Sequence, residues 1–347
     1  MAASINNPAW LEWMAGLMGG VSRKAHSAPL PPERFYCFLD DLPLQLVPHW
    51  ARVSRSKLDD GRDLLLSPDC RLYTAPELPV ELAERPELVS ALALQGMIAW
   101  VRDANSHSLL PFWLGTQWGA FVRDLRPNEP VPESIPASVK SVLEGAGIVV
   151  SAQSIHSQGG HREEAVRRAA ELFQTKGYAP LQTLIHPFHI AALRRYYRHR
   201  IRTGAIQLGD GQSSRRYVAY NDPVARFFHR QIANTVSAIA GEPVKPSYVY
   251  LASYLSGAEL KKHVDREQCE FSVTLCLDFS PEPDLATPWP ICLDTASGRV
   301  TVYQALGDGL AYRGTRLPHY RSKLGEGQTS TSIFFHYVAA DFAGSLD

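Results

Sequence analysis

The stretch that decides the fold lies between residues 247 and 338. It contains SYVYLASYL (247–255), AELKKHVD (258–265), EFSVTLCLDF (270–279), PICLD (290–294), RVTVYQAL (299–306), GLAYRG (309–314) and STSIFFHYV (330–338). Each run is short, rich in β-branched and aromatic residues, and alternates with a period of two. Turn residues such as SG, PEP, SGR, GDG and GEG separate them. Seven or eight strands of this kind behind a few helices predict an antiparallel two-sheet roll whose mouth can hold a ligand.

Upstream the period changes to 3.6. HREEAVRRAAELFQTKG (161–177) places Val166, Ala169, Ala170 and Phe173 on one face and ends on Gly177 at a C-cap position. Residues 187–203 predict a second helix with Ile190, Leu193, Tyr197 and Ile201 inward; most of its arginines fall off that stripe, as on a solvated face. A third opens at Asp222-Pro223, an N-cap followed by proline in the first helical position, and runs to Gly241.

Proline, serine and glycine gather in RPNEPVPESIP and SAQSIHSQGGH, between residues 126 and 161, so a domain boundary is expected near 155. The expected fold class is α+β: a jelly-roll or cupin-like C-terminal domain, residues 156–347, and a separate mixed, mostly helical N-terminal domain, residues 1–155, that helps to recognise substrate. Trp10, Trp13, Met14 and Leu17 would line one side of a short docking helix. Asp40, Asp41, Asp59 and Asp60 flank turns, where aspartates serve chiefly as cap and turn residues.

The chain has 347 residues, 45% of them hydrophobic and 20% charged, the composition of an ordinary globular protein. Lys+Arg and Asp+Glu both number 35, so bulk charge gives no footing for a nucleic acid or an anionic membrane. Neither partner is expected. The five cysteines show no zinc-ligand spacing and are odd in number, which suits free thiols in a reducing cytoplasm. No run of 18 apolar residues and no basic-then-apolar leader occurs, and a cytoplasmic location is expected.

Chemistry concentrates at His263-Val264-Asp265. Residues i and i+2 of a strand share a face, so the imidazole and the carboxylate can meet one ion while Val264 enters the opposite layer. Alone the triplet is a weak signal. A facial two-His-one-carboxylate site needs a third ligand, which His319 supplies from GDGLAYRGTRLPHYR. His336, inside the Phe-rich IFFHYV, is its rival and suits a core or substrate-facing role better.

With these residues in place, about 178–338 resembles the 2-oxoglutarate/Fe(II)-dependent dioxygenases, most nearly their prolyl-hydroxylase-like branch. Tyr254, nine positions before His263, the HVD triplet, the GDGLAYRG segment and His319 ahead of the closing strand carry the resemblance. It implies a double-stranded β-helix, Fe(II) on His263, Asp265 and His319, and 2-oxoglutarate and O2 as co-substrates. It further implies hydroxylation of an unactivated C–H bond with release of succinate and CO2, since related halogenases have no carboxylate where Asp265 stands.

In the prolyl-hydroxylase-like enzymes a basic residue near the start of the last strand meets the far carboxylate of 2-oxoglutarate. Here Gln328, Thr329, Ser330 and Thr331 occupy that region. Arg321 is therefore the expected anchor, with Tyr254 and Thr329 or Thr331 as hydroxyl donors and Arg313 as a further candidate; Lys323 is the other nearby cation. Arg266, Gln268 and Glu270 would face substrate or simply form a polar strand entry. A peptide, protein or amino-acid-derived substrate is the leading expectation. A small secondary metabolite, a metal-binding β-roll without turnover, a cupin-like isomerase and a nucleic-acid demethylase are the rivals.

Overall fold

The structure is a computed structural model that describes residues 34–52, 63–82, 92, 96–103 and 106–347, with side chains of 154–162 excepted. The proposed docking helix and the Asp59-Asp60 pair lie outside the described residues. Among the described residues no helix is long and apolar enough to cross a membrane.

The C-terminal strands are β9 (Val244–Tyr254), β10 (Leu260–His263), β11 (Phe271–Ser280), β12 (Ile291–Thr295), β13 (Gly298–Val302), β14 (Gly309–Arg313), β15 (His319–Arg321) and β16 (Thr329–Ala339). Four of them form one sheet in the order β10-β15-β12-β13. The others form the centre of a seven-stranded sheet, β6-β14-β11-β16-β9-β8-β7, extended by β6 (Tyr178–Leu181), β7 (Gln207–Leu208) and β8 (Arg216–Tyr220). All pairings in both sheets are antiparallel. From β9 to β16 the chain crosses between the two sheets at every step except the β12–β13 hairpin, which is the path of a double-stranded β-helix, and the chain is α+β.

Residues N-terminal to the roll depart from the mostly helical expectation. Among the described residues, β2 (Cys70–Thr74), β3 (Met97–Arg102) and β4 (Leu109–Leu114) form an antiparallel sheet, and β1 (Leu64–Leu66) pairs with β5 (Val149–Ser151). Helices there are short: α1 (His49–Arg52), α2 (Gly115–Val122) and α3 (Ala137–Gly145). All six residues of LLPFWL are buried, so the run lacks the alternation that marks a half-exposed strand and carries no distinguishing period.

The 161–177 helix, α4 (Ser154–Lys176), begins seven residues before its expected start and absorbs most of the SAQSIHSQGGH stretch read as linker. Gly177 ends it in the left-handed conformation, φ 78°. After α5 (Pro187–Arg202), the third helix splits at Ile232 into α6 (Pro223–Gln231) and α7 (Ala233–Ala240). Asp222 caps α6, its carboxylate accepting from the backbone N–H of Val224 and Ala225.

One continuous buried cluster runs from Phe35 through the helices to Tyr337. The division expected near residue 155 thus falls between two parts of the chain that share a core. Ion pairs reinforce the junction, and they correct the solvated reading for Arg194, whereas Arg198 and Arg202 are exposed as expected. Arg194, buried, bonds Asp278 at 2.8 Å, Glu282 at 2.9 Å and the Leu46 carbonyl at 2.6 Å. Arg198 meets Asp278 at 2.6 Å, Arg52 meets Glu282 at 2.6 Å, and Arg200 meets Asp222. Arg194→Ala takes one of two arginines from each acid and the arginine donor from the Leu46 carbonyl, so it should cost about 1–3 kcal/mol of unfolding free energy in urea titrations. A loss under about 1 kcal/mol would show the network to be peripheral.

Candidate metal centre

His263 and His319 stand directly opposite each other across the β10–β15 ladder. A shift of register between Leu260 and His263 brings them into line, and directly paired residues share a face. Their ring centroids lie 4.3 Å apart. Asp265 reaches the same point from beyond the end of β10, its backbone N–H donating to Gly314 O at 2.9 Å. One carboxylate oxygen, Oδ1, lies 3.6 Å from His263 Nε2 and 3.5 Å from His319 Nε2. Two ligands cis to each other on an octahedral ion, with bonds near 2.1 Å, stand about 3 Å apart. The three groups need only close slightly on an ion.

The donor set itself calls for a cation. His263 Nδ1 is 2.7 Å from the Lys261 carbonyl, and His319 Nδ1 is 3.0 Å from the Leu317 carbonyl. A carbonyl can only accept, so each ring keeps its proton on Nδ1 and turns the lone pair of Nε2 inward, the usual arrangement behind a metal-bound histidine. In the neutral rings two nitrogen lone pairs then face a carboxylate, an arrangement that a metal ion relieves, or in its place a proton shared between Nε2 and the carboxylate. Burial opposes ionisation of Asp265, yet the two histidines outweigh it and hold the carboxyl well below the usual range. Asp265, chiefly, holds the His263 imidazole above its ordinary value against burial. His319 is 2% exposed, while His263 is half-buried at the rim, leaving an open side toward the mouth.

Close packing fixes the acid. Ser272 Oγ donates to Asp265 Oδ2 at 2.9 Å, and His336 Nδ1 lies 2.9 Å from the same Ser272 oxygen. A Cβ built on Gly314 would come within 2.4 Å of Asp265 Oδ2 and 2.3 Å of Cys269 O, so only glycine fits there. Burial pushes His336 down to about 4, which keeps it neutral behind the acid. Ser272 and Gly314 escaped the reading of the sequence; the one available signal was a serine at an alternating position of the apolar strand EFSVTLCLDF. Val264 is 48% exposed instead of entering a layer, because β10 ends at His263 and the strand alternation does not reach it.

Two residues beyond His319 on the same face, Arg321 points into the roll and is 4% exposed. Its guanidinium donates to Trp289 O at 2.5 Å and to Gln304 Oε1 at 3.2 Å, and stacks 4.9 Å from the Trp289 ring. Its Nε has no hydrogen-bond partner. No described carboxylate makes an ion pair with it, and burial lowers its pKa below the usual guanidinium value. Tyr254 lines the same interior, its ring edge-on to Trp289 at 5.1 Å and 5.8 Å from the Arg216 guanidinium.

The two threonines are placed elsewhere. Thr331 pairs with Asp278 across β11–β16 and donates to Ser253 Oγ at 2.8 Å. Asp278 bonds α5, so this side of the sheet faces the helices and Thr331 is turned away from the metal centre; Thr329, two residues earlier, shares that side. Ser330, Ser332, Phe334 and His336 face inward in their place. Arg313 lies outside the roll, over the rings of Phe173 and Phe271 at 5.1 and 5.4 Å, and Lys323 is exposed. Arg266 is exposed at the mouth, 4.5 Å over the Tyr248 ring, whereas Gln268 is buried.

No model of a known protein family and no curated protein matches the sequence. Several solved structures resemble the chain over about half its length. The 2-oxoglutarate-dependent epimerase SnoN from nogalamycin biosynthesis aligns with TM-score 0.43 and 15% identity, over 51% of this chain and 84% of its own. A prolyl-4-hydroxylase from Pseudomonas putida aligns with TM-score 0.42 and 17% identity, over 50% and 98%. HygX from Streptomyces hygroscopicus, solved with nickel, 2-oxoglutarate and hygromycin B, aligns with TM-score 0.40 and 13% identity, over 51% and 88%.

Proposed function

We propose that the chain is an Fe(II)- and 2-oxoglutarate-dependent oxygenase that hydroxylates an unactivated C–H bond of a peptide, protein or amino-acid-derived substrate. One observation carries this reading: a buried guanidinium without a carboxylate partner lies on the same strand face as one of three converging metal ligands. An uncompensated buried charge is costly, and a bound anion removes the cost. Two residue rises separate His319 from Arg321, about 6.7 Å along the strand. A five-carbon dicarboxylate that chelates the metal through its 2-oxo acid end spans that gap.

His263, Asp265 and His319 would hold Fe(II) and leave three positions open. When bound, iron with 2-oxoglutarate and O2 supplies the oxidising power for hydroxylation, with succinate and CO2 released. The remaining roles belong to the protein. Arg321 grips the far carboxylate, with Gln304 and the Trp289 carbonyl fixing the guanidinium in place. Tyr254 and Trp289 keep water from the inner end of the roll. Ser272 holds Asp265 in one rotamer, with His336 behind it.

On the inner face of β9 and β16, Tyr248, Tyr250, Phe334 and His336 form a buried aromatic strip, with Tyr248 4.7 Å from His336 and Tyr250 5.9 Å from Phe334. Such a surface suits an apolar or ring-bearing side chain. Protein incubated with Fe(II), 2-oxoglutarate and O2 should release succinate slowly alone and faster with a peptide substrate. The His319→Ala variant should release none. Equal succinate release by that variant would overturn the proposal.

A further inference from the structure

Behind the first site, Asp265 belongs to a second constellation. Ligand atoms of Asp265, Cys269 and His336 all lie within 4.8 Å of one another, and the acid's Oδ2, which accepts from Ser272 next to His336, is the oxygen other than the Oδ1 that faces His263 and His319. Cys269 and His336 are both at least nine-tenths buried. The Cys269 sulfur has a polar neighbour, the Tyr248 hydroxyl at 3.0 Å, and Asp265 Oδ2 has Ser272. Structure near the acid is tight, since Gly314 leaves no room for a Cβ between Asp265 and Cys269. Ser272 is small, and its hydroxyl can rotate to follow a ligand.

We propose that Asp265, Cys269 and His336 form a second metal site, of the thiolate-imidazole-carboxylate kind that favours Zn(II) over Fe(II). Sulfur ligands select zinc among the available divalent ions, whereas the neighbouring two-His-one-carboxylate set suits iron. Ligands of a tetrahedral ion with bonds of 2.0–2.3 Å sit about 3.5 Å apart, so each side chain needs to move by less than about 1 Å. The Cys269 thiol gives up its proton to solvent as the sulfur–metal bond forms, and water completes the fourth position. The two sites share one carboxylate. Zinc in the second draws Asp265 toward Cys269 and weakens the grip of the first on iron, making the protein zinc-sensitive.

The inference rests on the cluster alone and stands whether or not the first site runs oxygenase chemistry. Cobalt(II) is the probe, because its thiolate complexes show a near-ultraviolet charge-transfer band that nitrogen and oxygen ligands do not give. Metal-free protein titrated with Co(II) should develop this band. It should persist in His319→Ala, which removes the first site only, and vanish in the near-isosteric Cys269→Ser. His336→Gln should weaken Co(II) binding at this band by about tenfold or more. No thiolate band in the wild type, or one retained in Cys269→Ser, overturns the second site while leaving the first untouched.

Discussion

Asp265→Ala should lower turnover by more than about 1,000-fold, roughly 4 kcal/mol of transition-state stabilisation, with the fold intact. The carboxylate is the only acid within reach of both Nε2 atoms among the described residues, at 3.5 and 3.6 Å. Without it two neutral imidazoles face a dication, and Fe(II) affinity should fall by about 100-fold or more. Thermal unfolding of the metal-free protein should shift modestly downward, because a carboxyl held below its usual range in the folded chain contributes stability at neutral pH that is lost with the side chain. Succinate release and equilibrium iron binding measure the two losses separately. Wild-type turnover in Asp265→Ala would contradict the assignment of the ligands.

Arg321→Ala should raise the 2-oxoglutarate concentration needed for half-maximal succinate release by about 100-fold, near 2.7 kcal/mol. Truncating one partner of a buried charge pair costs about 2–5 kcal/mol, much of it from stranding the other charge. Iron affinity should stay near wild type, because Arg321 touches neither His263, His319 nor Asp265. A second readout separates anchoring from general damage. 2-Oxoglutarate at 100 times its dissociation constant should stabilise the wild-type fold by about 2.7 kcal/mol, and at the same concentration that gain should fall to about 0.4 kcal/mol in Arg321→Ala. A variant that keeps the 2-oxoglutarate-dependent stabilisation would move the carboxylate anchor to another residue, and Arg216, buried on the same inner face, would be next to test.

The roll was legible because its strands alternate. EFSVTLCLDF and STSIFFHYV carry period-two patterns, and the residues of HVD and the distant His319 are of the types a metal binds. What the pattern could not supply was which face of β16 turns inward. Thr331 and Ser330 are adjacent, and a single step along a strand reverses the side chain. Parity is set by pairing, here by Thr331 opposite Asp278 and His336 opposite Ser272, which no count along one strand contains. Likewise Arg194 looked solvated because helical periodicity reports only the apolar stripe. Its acids, Asp278 and Glu282, come from 80 or more residues away and make a polar junction that periodicity does not register.

The N-terminal strands were hidden for the opposite reason. MIAWVR and LLPFWL are buried almost throughout, and an unbroken apolar run fits a strand or a buried helix equally well. Ser272 and Gly314 were missed because their roles are relational: one hydroxyl and one absent Cβ matter only beside Asp265. His336 was weighed as a third ligand, and its place behind Ser272, outside the facing lone pairs of His263 and His319, came from the fold.

Anaerobic titration of metal-free protein with Fe(II) and 2-oxoglutarate tests the central claim most directly. The oxo acid chelated to ferrous iron absorbs visible light, so a band requiring both components should rise to one iron per chain. It should be lost in Asp265→Ala and in His319→Ala. A wild-type protein that shows no such band, or a band undiminished in those two variants, would contradict the placing of iron on His263, Asp265 and His319.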